Sequence, residues 1–223
     1  MSKIGWVGIG VMGRSMCGHL LAAGHEVKVH TRTKASAEST IAAGAQWCET
    51  PGEVAVDSEF VFTIVGYPAD VRAVYLGDGG LVERAAPGCV LVDMTTSEPA
   101  LAKEIHEAAR ARGLSALDAP VSGGDLGARG GSLAIMVGGE QEAFDRTLPL
   151  FEKMGKNIRL MGDSGAGQHT KMSNQILIAG TMIGVVESLL YAVKSGLDVD
   201  DVIEARRPPK FMDTAVTSST GSI

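Results

Sequence analysis

The sequence predicts an α/β protein, a doubly wound and mostly parallel sheet followed by a partial all-α domain, and three observations carry that expectation. A short apolar strand runs into glycines spaced GxGxxG at Gly8, Gly10 and Gly13. Strand-like and helix-like segments then alternate as far as Gly162. Beyond Gly162 one long, mostly apolar helical stretch takes over.

In chain order, residues 3–7 form the first strand, which ends where Gly8 permits a tight turn. Gly10 leaves no side chain in the way of a pyrophosphate, and Gly13 lets the next helix pack close to the strand. That helix, over 13–23, aims its free N–H groups at phosphates, and Gly24 suits its C-terminal stop. Residues 26–31 alternate apolar and polar as a second strand. A helix over 35–43, an extended piece over 44–48 and a helix start at Pro51 follow. Residues 59–65 are rich in β-formers and suit a central parallel strand. The pattern repeats as helix 68–75, strand 89–93, helix 98–111 and strand 114–118. A glycine-rich loop over 119–131 leads to strand 132–137, helix 140–154 and strand 157–161. The expected organisation is a Rossmann-type dinucleotide-binding domain over 1–162 and the start of an all-helical substrate or dimerisation domain over 163–205. An irregular tail over 206–223 completes it, marked by Pro208, Pro209 and a run of serines and threonines.

A chain of 223 residues, 45% of them hydrophobic, has material for one sizeable core and a smaller appendage. The net charge of -6 and the lack of a basic run argue against nucleic acid or an anionic membrane as partner. No apolar leader with a cleavage site precedes the first strand, so a cytoplasmic location is expected. Cys17, Cys48 and Cys89 show no CxxC pairing and no neighbouring His cluster. They are expected to be buried reduced thiols, and no metal site is expected. The stretch 176–193 is long enough to raise the question of a membrane span, but Glu187, Thr181 and Ser188 interrupt it and its flanks lack an anchoring pattern. A buried helix between domains or subunits is expected instead, and its excess apolar surface predicts a homo-oligomer.

Four places bear on chemistry. At the end of the second strand, where an Asp or Glu would hold ribose hydroxyls, stand Thr31 and Arg32. A guanidinium there pairs with a 2′-phosphate, so NADP is preferred over NAD, against the plainer reading of Arg32 as a solvated strand end. Ser122, Gly123 and Gly124 follow the strand 114–118 and lie at the sheet's carboxyl edge, offering a donor cluster for a carboxylate. On this motif alone a ligand-free turn serves equally well. Lys171 sits on the first turns of the long helix with Asn174 three residues on, on the same face. Buried beside a cofactor, its amine would have a lowered pKa and act as general acid and base, whereas most helix lysines are merely solvated.

With these motifs in order, the chain resembles the β-hydroxyacid dehydrogenase family. The resemblance runs from about Lys3 to Ala205. It rests on Gly8-Ile9-Gly10-Val11-Met12-Gly13, Val92-Asp93-Met94-Thr95-Thr96, Asp118-Ala119-Pro120-Val121-Ser122-Gly123-Gly124, and the run from Gly165 through Lys171 to Asn174. It implies that the first motif, with Val65, Gly66, Asp70 and Thr96, lines the cofactor groove. It implies too that Ser122, Gly123 and Gly124 hold a substrate carboxylate, that Lys171 is catalytic and that Asn174 orients the substrate. The implied reaction is reversible hydride transfer between NAD(P) and a small β-hydroxy acid or its semialdehyde acid. Members of that family run on with further helices, so the resemblance implies a chain that lacks part of the cleft wall and has weak activity or none. A catalytically silent dinucleotide-binding module working through its apolar helix is the alternative. The related 6-phosphogluconate dehydrogenases need a larger helical domain, and Lys171 favours hydroxyacid chemistry over that of imine reductases.

Overall fold

The computed structural model describes residues 1–205, so the tail expected over 206–223 lies outside the described residues. The chain divides into two compact units, 1–173 and 174–223.

The first unit opens with β1 (Lys3–Val7), whose last four residues are buried, and passes through the glycine turn into α1 (Val11–Ala22). The helix starts two residues earlier than the Gly13 expected, with Gly10 at its N-cap and Arg14 N–H donating to the Gly10 carbonyl at 3.1 Å. β2 (Glu26–His30), a single 3-10 turn at Lys34–Ala37, α2 (Glu38–Ala42), β3 (Gln46–Trp47) and α3 (Pro51–Ala55) follow. Thr50 caps α3 by accepting the Glu53 N–H. β4 (Phe60–Thr63), α4 (Pro68–Leu76), α5 (Leu81–Arg84), β5 (Val90–Asp93), α6 (Pro99–Arg110) and β6 (Ser115–Asp118) continue the alternation. Six strands in the order β3-β2-β1-β4-β5-β6 pair in parallel, which is the doubly wound arrangement.

The stretch 119–131 departs from the loop expected there. It holds β7 (Val121–Ser122) and α7 (Gly124–Arg129). Two glycines give α7 poor intrinsic propensity, and tertiary contacts supply what propensity lacks. His19 on α1 meets the Ala128 carbonyl at 2.8 Å, Ala128 is fully buried in the core, and Arg129 pairs with Asp125 one turn back at 2.7 Å. β8 (Leu133–Gly138), α8 (Gln141–Met154) and β9 (Gly155–Gly162) complete the sheet, β8 joining antiparallel to β6 and β7 and parallel to β9. Trp6 stacks on Phe62 at 5.6 Å, Phe62 meets Phe151 of α8 edge-on at 6.1 Å, and these rings centre the core of that face. Cys17, Cys48 and Cys89 are buried free thiols, and burial pushes the first and last up to about 12.

The division between units falls inside α9 (Ala166–Lys194), at 173/174 where the sequence placed it at 162/163. The first turns of α9 are hydrogen-bonded into the sheet's carboxyl edge, which makes them part of the first unit. In the second unit the rest of α9 ends in a glycine stop, Gly196 at φ +76° with Leu197 N–H returning to the Ala192 carbonyl. Asp198 then caps α10 (Val199–Ala205) by accepting the N–H groups of Asp200 and Asp201. α9 is long and apolar enough to cross a membrane by length and composition alone. Within one chain this helix, expected to be buried between domains or subunits, is exposed. Ile176, Leu177 and Ile183 are 68%, 69% and 59% exposed, because nothing in the described residues covers them.

One polar chain threads the core where β4 and β5 end. The single hydroxyl proton of Thr63 goes to Asp93 Oδ1 at 3.0 Å, so Tyr75 donates to Thr63 at 2.9 Å. Thr95 N–H also donates to Asp93 Oδ1, at 3.0 Å. Burial pushes the Asp93 carboxyl up to about 6, against the pull of the Thr95 and Thr63 hydrogen bonds, and Asp118 nearby adds to the rise. A carboxyl whose folded pKa exceeds its unfolded value contributes most to stability at low pH and loses that contribution as pH rises through about 6. Asp93→Asn keeps the acceptor oxygen and removes the charge. Urea midpoints measured from pH 4.5 to 7.5 are expected to show the variant gaining on the parent by about 1–3 kcal/mol as pH rises. Parallel curves would contradict this.

Candidate functional site

A cleft of about 540 Å³ opens at the carboxyl ends of β1, β2 and β4, a size that suits a cofactor. Its lining includes Gly8, Gly10, Val11, Met12 and Gly13 from the turn, Thr31 and Arg32 after β2, and Val65, Gly66 and Asp70 from the β4–α4 connection. Val7, His30, Pro51, Ile64, Ala73 and Val74 complete the wall. The sequence did not single these out, since they are ordinary residues brought in by strand order.

Two residues assigned to the groove lie elsewhere. The Ile9 side chain is 1% exposed and packs into the core, as the apolar residue between two turn glycines does when the next helix folds back. Thr96 is exposed and outside the cleft wall, and its neighbour Thr95 turns inward.

The turn is held by sterics as well as hydrogen bonds. Gly8 sits at φ +99°, a left-handed conformation, and a Cβ there would run into the Ile64 carbonyl. A Cβ on Gly13 would strike the Gly8 carbonyl oxygen, which also accepts the Trp6 indole N–H at 3.0 Å. Gly10, by contrast, faces open space, with nothing within 4 Å of a Cβ. The N-terminus of the twelve-residue α1 therefore opens toward the cleft with its N–H groups and positive dipole end. These residues fit a dinucleotide pyrophosphate. Arg32, its side chain 85% exposed, stands 3.7 Å from the Asp70 carboxylate, and Asp70 also accepts the Tyr67 N–H at 3.1 Å.

Two of the other predicted segments, the Ser122 loop and the first turns of α9, adjoin the end of β6. Asp118, 3% exposed, accepts the N–H of Gly165 at 2.7 Å on one oxygen and that of Gln168 at 2.8 Å on the other. Burial raises its pKa, and these backbone donors counter that rise. The carboxylate thus caps α9 at its positive end and fixes it against β6. Four residues after Asp118, Ser122 is half-buried and pairs with Ala134 of β8. Gly123 and Gly124 are exposed, at φ +131° and +60°. On the same early turns of α9, Lys171 is 7% exposed, and burial lowers its pKa from the usual lysine range. Asn174 belongs to the second unit, half-buried, and its amide donates to Gln175 at 3.3 Å.

Sequence reasoning missed Asp118 and Gln168 as structural ties, although both stand inside motifs it quoted. Thr95 links the two regions: its hydroxyl oxygen accepts the Val65 N–H at 3.0 Å, and its carbonyl accepts the Gln168 amide at 2.7 Å. Among the described residues no group of three or more His, Cys, Asp or Glu is placed to hold a metal.

Comparison with known proteins agrees with this geometry. Residues 3–162 match the family described as the NAD binding domain of 6-phosphogluconate dehydrogenase. Residues 165–207 match the one described as NAD-binding of NADP-dependent 3-hydroxyisobutyrate dehydrogenase. An uncharacterized oxidoreductase of Bacillus subtilis is 54% identical over 202 residues, 91% of this chain and 70% of that protein. A 3-hydroxyisobutyrate dehydrogenase of Pseudomonas aeruginosa is 41% identical over 198 residues, 89% of this chain and 66% of that protein. The solved Mycobacterium tuberculosis 3-hydroxyisobutyrate dehydrogenase with L-serine matches with a TM-score of 0.85 at 32% identity, over 92% of this chain and 69% of that one. The chain spans 66% to 70% of the length of these three relatives.

Proposed function

The chain belongs to the β-hydroxyacid dehydrogenase family, and from that premise we propose that it catalyses hydride transfer between NADP, or NAD, and a small β-hydroxy acid or its semialdehyde acid. The observation that carries this reading is a buried lysine on a helix that Asp118 fixes to the strand leading into the Ser122 loop.

The nicotinamide ring of the bound cofactor supplies the hydride chemistry. Gly8, Gly10 and the first N–H groups of α1 hold the pyrophosphate. Ser122, with the backbone of Gly123 and Gly124, holds the substrate carboxylate and so fixes the carbon that bears the hydroxyl. In oxidation neutral Lys171 takes the hydroxyl proton, and in reduction its ammonium form returns one to the developing alkoxide. Burial favours the neutral amine at a lower pH than an exposed lysine allows, which matches the group to proton transfer. The L-serine named with the tuberculosis structure is itself a β-hydroxy acid, and this supports the substrate class.

Lys171→Ala is expected to lower turnover by about 10²–10⁴-fold and leave cofactor affinity within about twofold. Retained turnover would overturn the assignment, and a parent chain that binds cofactor without any turnover would leave only a binding module.

The preference for NADP rests on Thr31 and Arg32 standing at the end of β2, where an Asp or Glu would hold the ribose hydroxyls. Arg32→Ala is expected to weaken NADP binding by about tenfold or more with little effect on NAD, checked by titrating each cofactor. Equal losses for both would remove the preference.

A second copy of the chain covering the exposed face of α9 explains why Ile176, Leu177 and Ile183 face solvent in one chain. Light scattering at high micromolar concentration is expected to show self-association that Leu177→Glu with Ile183→Glu abolishes. A monomeric parent would refute it.

A further inference from the structure

The geometry points to Gln168 as a positioning residue that holds Lys171 in register with the cofactor cleft, by gripping the loop that follows β5. This rests on the assignment of proton transfer to Lys171. Gln168 is 1% exposed and lies three residues before Lys171, on the turn of α9 that the Asp118 carboxylate caps. Its side-chain amide makes two bonds to one loop: Nε2 donates to the Thr95 carbonyl at 2.7 Å, and Oε1 accepts the Ser97 N–H at 2.8 Å. Thr95 in turn holds the cleft wall, since its hydroxyl oxygen accepts the Val65 N–H at 3.0 Å. One short run of residues therefore reaches from the cofactor wall to the lysine turn, and Gln168 is the side chain that closes the connection.

The chemistry requires an amide. The loop presents one acceptor and one donor side by side, and only a planar group with both a donor and an acceptor satisfies them together. A leucine of similar size leaves both backbone groups buried and unpaired. An ionised glutamate satisfies Ser97 but turns a second acceptor toward the Thr95 carbonyl. A protonated glutamate restores the donor, so acid rescues this variant and does not rescue the leucine.

The 223-residue parent chain, Gln168→Leu and Gln168→Glu are compared. Turnover of Gln168→Leu is expected to fall about 10–100-fold at every pH, as for a reacting group displaced by about an ångström, with cofactor affinity nearly unchanged. Turnover of Gln168→Glu relative to the parent is expected to rise as pH falls from 8 to 6. A second readout needs neither cofactor nor turnover. The pH dependence of Lys171 acetylation by acetic anhydride, followed by mass spectrometry, is expected to shift toward the ordinary lysine range in Gln168→Leu. Normal turnover in Gln168→Leu overturns the proposal. So do unchanged acetylation and a flat Gln168→Glu ratio accompanied only by a lower melting temperature, since that marks a residue needed for stability alone. If Gln168→Leu does not fold, the Gln168→Glu series decides. Failure of the underlying reading is seen separately, as turnover that survives Lys171→Ala.

Discussion

A single buried carboxylate ties the sheet to the helix on which the proposed chemistry depends. Asp118 ends β6 at 3% exposure, a position that would be costly for a charge left unpaired. It is offset by the N–H groups of Gly165 and Gln168 and by the positive end of a 29-residue helix. Charge and dipole satisfy each other only when the helix starts at that strand end, so the interaction fixes the start of α9 in direction as well as in place. Lys171 then takes its position from the helix, with no freedom to fray at the terminus.

The cofactor side obeys a different constraint. Excluded volume shapes the turn, because the Gly8 carbonyl, the Ile64 carbonyl and α1 approach too closely for any side chain at Gly8 or Gly13. The buried Trp6 contributes to both jobs, packing on Phe62 and donating to the Gly8 carbonyl. The polar chain from Tyr75 through Thr63 and Asp93 to Thr95 then carries order from the middle of the sheet to Val65 on the cleft wall. Its price is a buried acid whose charged form is destabilised by burial, which raises the carboxyl to about 6.

The strand and helix pattern up to Gly162 and the glycine turn were legible because their causes are local. Apolar spacing and glycines act over a few residues, and the strand order then follows from right-handed crossovers. The reading failed where distant contacts overrode local preference. α7 looked like a loop because its glycines disfavour a helix, and it forms against His19, which stands 109 positions earlier. Thr96, expected in the groove, is exposed outside the walls of this cleft, while its neighbour Thr95 turns inward to hold the Val65 N–H, since a motif names neighbours without saying which one turns inward. Helix 176–193, expected to be buried between domains or subunits, is exposed because the described residues of one chain supply nothing to cover it.

By itself the sequence determined the doubly wound sheet, the glycine turn and the identity of the lysine on α9, all of which are set by short-range pattern and residue type. Only the tertiary structure decided that Asp118 caps α9, that Gln168 joins it to the Thr95–Ser97 loop, and that Ile9 leaves the cleft for the core. The hydrogen-bonded partners among these stand 47 to 73 positions apart along the chain. A hydrogen bond between them leaves no periodic trace in composition. It exists because the parallel strand order brings the ends of β5 and β6 together, and the helix that follows must bury its first turns there.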